Sequence, residues 1–142
     1  MSKINIDEIR ARKITDSFDR QAMMQGFGAK ITAISEGGVT LSAPIQPHAL
    51  QQHGFVHAGL TFALGDSAAG YAALTMMPDD AEVMTAEMKI NLLAPATGEQ
   101  LIARGRVIKP GRRLFVTAAD VYALKGETET HVAILQGTMV PV

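Results

Sequence analysis

The chain contains no cysteine. Disulfides, thiolate nucleophiles and iron–sulfur or zinc sites built on sulfur are thereby excluded, and a reducing, cytoplasmic setting is the expectation. Tryptophan is missing too, and two tyrosines and five phenylalanines do not suggest a row of base-stacking platforms, so nucleic acid is not an expected partner. Charge of one sign is also lacking. Thirteen Lys+Arg stand against 14 Asp+Glu, a net charge of -1, which leaves no whole-chain field to attract nucleic acid or an anionic membrane. The N-terminus, MSKINIDEIRARK, spreads charges through its length with no long apolar run, which argues against a secretion signal. No G-x-S-x-G, G-x-G-x-x-G or G-x-x-x-x-G-K pattern occurs, so a nucleophile elbow and the two common phosphate loops have no support.

What is present fits one domain over residues 1–142. One long apolar stretch, Phe55 to Met77, carries Asp66 at its middle. A lone carboxylate at bilayer depth is costly, so this stretch reads as a helix buried inside the protein rather than a membrane span. Ahead of it, Asp7 to Met24 places Ile9, Ile14, Phe18 and Met23 at rough helical spacing, with Gly26 as a stop. Gly28 to Ile34 and Val39 to Ile45 alternate around Glu36-Gly37-Gly38 as two strands joined by a tight turn, and Pro44 and Pro47 make the second strand end early or lie at an edge. Four strand segments follow the long helix: Val83 to Leu93, Gln100 to Lys109, Leu114 to Leu124 and Thr130 to Met139, at hairpin spacings. A long helix with so little charge is buried only if a curved sheet wraps around it, so the fold class is α+β with a largely antiparallel sheet and an N-terminal helical segment. Ile102, Val107, Val116, Ala118 and Val121 offer apolar material on more than one register, which predicts a contact between subunits.

Between Glu36 and Asp79 the only Asp, Glu, Lys or Arg is Asp66. A carboxylate kept there must be hydrogen-bonded, paired or functional, because burying it alone costs several kcal/mol, on the order of the penalty for any unpaired ion. Gly59, Ala63, Asp66, Gly70 and Ala73 fall on one helix side, while Leu60, Leu64, Ala68 and Tyr71 supply core contacts. The helix start near His57 to Gly59 leaves free N–H groups, which stabilise an anion or a developing oxyanion. His53 and His57 have the i,i+4 spacing of one edge of a metal site, but without H-E-x-x-H the reading preferred for His57 is a hydrogen bond that fixes the loop-to-helix junction, and no metal is expected. Arg104, Arg106, Lys109, Arg112 and Arg113 cluster about a probable hairpin and suit phosphate groups. Phe55, Phe62, Tyr71, Met84 and Met88 are candidates for an apolar pocket.

The segment QQHGFVHAG from Gln51 to Gly59, the LTFALGD ending at Asp66, the AAGYAA after it, VMTAEMKINLLAPATGE from Val83 to Glu99 and the Gly111-Arg112 pair together resemble the hotdog-fold thioesterases, and among them the phenylacetate-degradation type of acyl-CoA thioesterase. The likeness runs over roughly residues 20–140. It implies a long helix wrapped by a curved antiparallel sheet, homodimers joined edge to edge and paired again into tetramers, and active sites at the dimer interface. It assigns Asp66 as nucleophile or general base, the Ala58 N–H as oxyanion donor, Gln51 as an amide beside the carbonyl, and Thr85 as the hydroxyl that orients Asp66 or water. His57, Gly59, Lys109, Arg112 and Arg113 fall to substrate and coenzyme A binding. The family usually reads His-Gly-Gly where this chain has His57-Ala58-Gly59, and Asn where it has Gln51. Alanine keeps the N–H and helical dihedrals, whereas the extra methylene of Gln51 changes its reach. The implied reaction is hydrolysis of an aromatic or medium-chain acyl-CoA, with coenzyme A as part of the substrate and no further cofactor. Hydration of an enoyl-CoA, and a noncatalytic module that binds acyl-CoA or another small ligand, are the alternatives.

Overall fold

The computed structural model describes residues 2–142. Strand β1 (Lys3–Asn5) precedes helices α1 (Glu8–Asp19) and α2 (Ala22–Gly26), followed by strands β2 (Lys30–Ser35) and β3 (Gly38–Pro44). A short 3-10 turn (Pro47–Ala49) leads to the long helix α3 (Ala58–Leu74) and then to β4 (Val83–Leu92), β5 (Gln100–Lys109), β6 (Phe115–Lys125) and β7 (Thr128–Pro141). The strands form one seven-stranded sheet in the order β1-β2-β3-β5-β6-β7-β4, antiparallel at every junction except the parallel pair β1–β2. This is the expected α+β hotdog fold: α3 packs against β3, β4, β5, β6 and β7 of a curved, open sheet.

The helix lies in the sheet because both surfaces are shaped for it. Leu60, Leu64, Ala68, Ala69, Tyr71, Ala72, Ala73 and Leu74 are buried, so α3 is apolar around most of its circumference rather than along one stripe. The sheet presents Val39, Leu41 and Ala43 from β3, Leu101 and Ala103 from β5, and Ala119, Val121 and Ala123 from β6, the period-2 pattern of a one-sided face. At Gly105 the two backbones touch: a Cβ there would meet the Ala68 carbonyl carbon at 2.2 Å and its oxygen at 2.3 Å. Glycine at 105 is thus a packing requirement of the helix–sheet contact.

Several expectations need correction. Asp7 to Met24 is not one helix but α1 and α2, broken at Arg20 and Gln21, where the Gln21 backbone is extended and its side chain turns to the Tyr71 hydroxyl. Of the four apolar positions expected, Ile14 and Phe18 are buried, joined on the inner side by Ala11 and Met24, whereas Ile9 (84% exposed) and Met23 face outward. Strand β3 ends at Pro44 as expected but is internal, between β2 and β5. Val83 to Leu93 forms no hairpin with the next strand: β4 crosses over to pair with β7 at the far edge, and the connection is tied down by Val56 N donating to Ala96 O and Ile45 N donating to Glu99 O. Ala118 and Val121 are buried within the single chain and offer no surface to a partner, while Ile102, Val107 and Val116 are half-buried. Strand β1 was not anticipated. No helix among the described residues is long and apolar enough to cross a membrane.

Candidate active site

Asp66 sits halfway along α3, half-buried, and accepts a hydrogen bond on Oδ1 from the Thr85 hydroxyl at 2.7 Å. Burial pushes its carboxyl above the ordinary carboxylate range, and the Thr85 hydrogen bond pulls the other way. Thr85 reaches α3 because of a register shift in β4. Thr85 pairs with Met139 and Glu87 with Thr138, so Ala86 is an extra residue in the ladder. Before that bulge Val83 turns toward the core; after it Met88 and Ile90 do. The change of parity lets β4 hold both a hydroxyl beside Asp66 and an apolar run further along.

Around this pair lies a cavity of about 300 Å³ lined by Ser17, Gln21, Asp66, Ser67, Gly70, Tyr71, Glu82, Val83 and Thr85. The buried Tyr71 hydroxyl accepts from Gln21 Nε2 at 2.8 Å and lies 3.1 Å from Ser17 Oγ, and Ser67 Oγ donates to Gln21 Oε1 at 3.5 Å. Of these polar groups, sequence reasoning named only Asp66, Thr85 and Tyr71, the last as apolar lining. Ser17 and Gln21 approach α3 from 46 to 54 residues away in the chain, a separation no local pattern encodes.

The other predicted residues gather at the start of the helix. His57 is the N-cap, extended at φ -62° and ψ 133°, and its Nδ1 accepts from the Gly59 N–H at 2.8 Å. A Cβ on Gly59 would lie 2.9 Å from that nitrogen, so the glycine makes room for the imidazole. The ring proton therefore sits on Nε2, since Nδ1 must be an acceptor. Ala58, the first residue of the helix, has an N–H with no intrahelical acceptor, backed by the helix dipole. Gln51 closes the turn before it: its N–H donates to Phe55 O at 2.8 Å, and its Oε1 accepts from the N–H groups of His53 and Phe55. Its amide oxygen is thus committed to the turn, and only the NH₂ side is free to meet a ligand. Gln51, His57 and Ala58 line a second cavity, of about 570 Å³, with Phe55, Val56, Thr61, Val132 and the Leu92–Ala96 segment.

The two cavities share no lining residue. Ala58 and Asp66 are eight residues apart, about 12 Å along the axis at roughly 1.5 Å per residue. One carbonyl group cannot touch both within a single chain. The fold thus brings Asp66 together with Thr85, and Gln51 with His57, Ala58 and Gly59, but at two separate places.

The basic cluster is divided. Arg104 is held by Glu129 in a two-pronged pair at 2.7 and 2.9 Å and lies over the Tyr122 ring, while Arg106 pairs with Asp120, whose other oxygen lies 3.0 Å from His131 Nε2. Strand pairing sets this up: Arg104 is opposite Asp120 and Arg106 opposite Ala118 on the outer sheet face. Lys109, Arg112 and Arg113 remain exposed at the β5–β6 hairpin. Of the pocket candidates, Phe55 lines the larger cavity and Tyr71 the smaller; Phe62 and Met88 pack on the core, and Met84 is exposed.

Comparison with known proteins follows the same lines. Solved structures with the same fold include a thioesterase family protein from Silicibacter pomeroyi, 42% identical with a TM-score of 0.92, covering 94% of this chain and 98% of that one. A thioesterase from Haemophilus influenzae is 20% identical with a TM-score of 0.80, covering 89% and 86%, and the PaaI protein of the phenylacetic acid degradation operon of Escherichia coli is 19% identical with a TM-score of 0.83, covering 94% of each chain. At those lower identities the likeness is one of fold. The family model described as the thioesterase superfamily matches residues 53–130, a span that opens just before the His57 cap and takes in all of α3 and β4, and on that match this chain belongs to the thioesterase superfamily.

Proposed function

We propose that the protein hydrolyses acyl-CoA thioesters to a free acid and the coenzyme A thiol, with Asp66 as the catalytic carboxylate. The observation that carries this reading is the Asp66–Thr85 pair: the sole charged side chain of α3, half-buried at a cavity and oriented by a hydroxyl from another element. Asp66 takes the proton of a water molecule as the water oxygen bonds to the thioester carbon, or attacks that carbon directly to form an acyl-enzyme anhydride, which a water molecule then cleaves to release the free acid and restore the carboxylate. Negative charge then develops on the carbonyl oxygen, where the Ala58 N–H stabilises it and the Gln51 amide adds a donor. The carbon–sulfur bond breaks and thiolate departs without strong acid assistance, because a free thiol has a pKa of about 8.5.

The separation of about 12 Å between Ala58 and Asp66 supports an assembly in which Asp66 of one copy faces the helix start of a second. Strand β4 is the open edge that suits such a joint: ten residues long, at the end of the sheet, with Met84 58% and Leu92 59% exposed. Exposed Lys109, Arg112 and Arg113 suit the coenzyme's phosphates by charge-assisted hydrogen bonds. The PaaI-like branch of the family and an aromatic or medium-chain acyl group are the finer assignment.

The test is thiol release from a panel of phenylacetyl-, benzoyl- and graded fatty acyl-CoAs, with molecular mass in solution measured alongside. Turnover that disappears in Asp66→Asn while folding and assembly persist is the expected result. Wild-type turnover in that folded variant, or an active monomer, overturns the assignment.

A further inference from the structure

Strand β4 has one neighbour in the sheet of its own chain, β7, so what fixes its register lies on β7. The register changes between Thr85 and Glu87, and three successive β7 residues meet the chain there. Met139 is fully buried opposite Thr85, and its sulfur backs the Thr85 hydroxyl at 3.3 Å. On the far side of the extra residue, Ala86, the Thr138 hydroxyl donates to the Glu87 carboxylate at 2.7 Å. Between the two contacts comes Gly137. The inward row of β7 reads Leu135, Gly137, Met139, so the glycine interrupts an apolar row at a buried position. A Cβ there would stand 2.4 Å from the Glu87 carbonyl oxygen, a backbone atom that yields only if the bulge itself moves. From the other side Gly137 is held in turn, its carbonyl accepting from the fully buried Thr117 hydroxyl of β6 at 3.2 Å. A bulge bends its strand, and here the bend brings β4 so close to β7 that the opposing residue has no room for a side chain.

We infer that Gly137, with Thr138, is a positioning residue: it holds the β4 bulge in the shape that sets the Thr85 hydroxyl on Asp66. Its bearing on turnover rests on the thioesterase reading above and deepens it. The tolerance is narrow. To clear a Cβ on residue 137 the Glu87 carbonyl must withdraw by about 0.6 Å or more. Glu87 is two residues from Thr85, and the Thr85–Asp66 bond is 2.7 Å long. Lengthened by a comparable amount, that bond leaves the range of about 2.5–3.0 Å in which hydroxyl hydrogen bonds form. Control of the carboxylate thus runs from Thr117 through Gly137 and the bulge to Thr85, none of which but the last touches Asp66.

Asp66 reports the state of the bulge without any substrate. Its titration, followed by carbon-13 NMR of the side-chain carboxyl, should rise in Thr85→Val, because the hydrogen bond that favours the charged form is gone. Glu82 and Tyr71, the other titratable groups lining the cavity, are unaltered in every variant. Gly137→Ala should move the titration the same way, by up to about one pH unit, tenfold in the ionisation constant. The double variant with Thr85→Val should move no further than Thr85→Val alone, since both changes remove one interaction. The kcat for thiol release should fall with the same lack of additivity while KM stays unchanged. Circular dichroism confirms that each variant is folded. Where Gly137→Ala does not fold, Thr138→Val takes its place, removing only the partner of Glu87, with Thr138→Ser as the variant that restores the wild-type titration. A raised titration that does not add to that of Thr85→Val upholds the inference even if no thioester is turned over, an outcome that fells only the catalytic reading. A wild-type titration of Asp66 in the folded β7 variant, or a shift that adds in full to that of Thr85→Val, overturns the inference whether or not thioesters are cleaved.

Discussion

Replacing Thr85 by valine keeps the side chain's shape and removes the hydroxyl that donates to Asp66 at 2.7 Å. A hydrogen bond to a charged group contributes about 1.5–3 kcal/mol. Thr85 is exposed and Asp66 half-buried, so solvent screening puts the effect at the lower end of that range. That corresponds to a loss of roughly tenfold in kcat. The same change acts on the titration of Asp66: burial raises its carboxyl, the Thr85 bond lowers it, and only the raising influence survives in the variant. The acid limb of the kcat/KM profile, where the base becomes protonated, should therefore move to higher pH in Thr85→Val and return in Thr85→Ser. Initial rates of thiol release across pH, with folding followed by circular dichroism, measure both effects. Wild-type kcat together with an unmoved acid limb in Thr85→Val would refute the idea that this hydroxyl orients the working carboxylate.

Asp66→Asn should raise the melting temperature at neutral pH while removing turnover by about 10²–10⁴-fold. A raised folded-state carboxyl favours folding below its unfolded value of about 3.9, and that contribution is lost as pH rises through the folded value. The stability advantage of Asn should thus fade on acidification, and an advantage independent of pH would count against burial as the cause. Gly105→Ala drives a Cβ into the Ala68 carbonyl and should cost about 1–3 kcal/mol, or prevent folding, by urea denaturation; a neutral outcome would mean that the helix–sheet contact is looser than described. Arg112→Ala should raise KM for CoA thioesters more than for pantetheine analogues, and equal effects would exclude contact with the phosphates.

Those features legible in the sequence were the ones carried by local pattern. The isolation of Asp66 in uncharged surroundings marked both the buried helix and the carboxylate held at its middle, and the His57-Ala58-Gly59 junction marked where the helix begins. Strand alternation identified β5 to the residue. Pairing between strands was less accessible: β4 lies beside β7 rather than β5 because the chain crosses over, and turn chemistry at Ala94 to Gly98 does not distinguish a crossover from a hairpin. The basic cluster looked like one patch because its partners Glu129 and Asp120 are distant in sequence and become adjacent only through the β5–β6–β7 register. Gln21 carried no signal, since an amide in a polar helix is unremarkable until the break that aims it is known.

The unequal ends of the sheet limit how far it can be extended. At one margin stands β1, a three-residue strand carrying Lys3; at the other stands the full length of β4 with its outer backbone groups free. A short, charged margin is a poor template for further strands, whereas a long bare one is a good one. Were two copies to join through β4, the one long bare edge among the described residues would be used up on each, and a closed pair rather than a fibre would result.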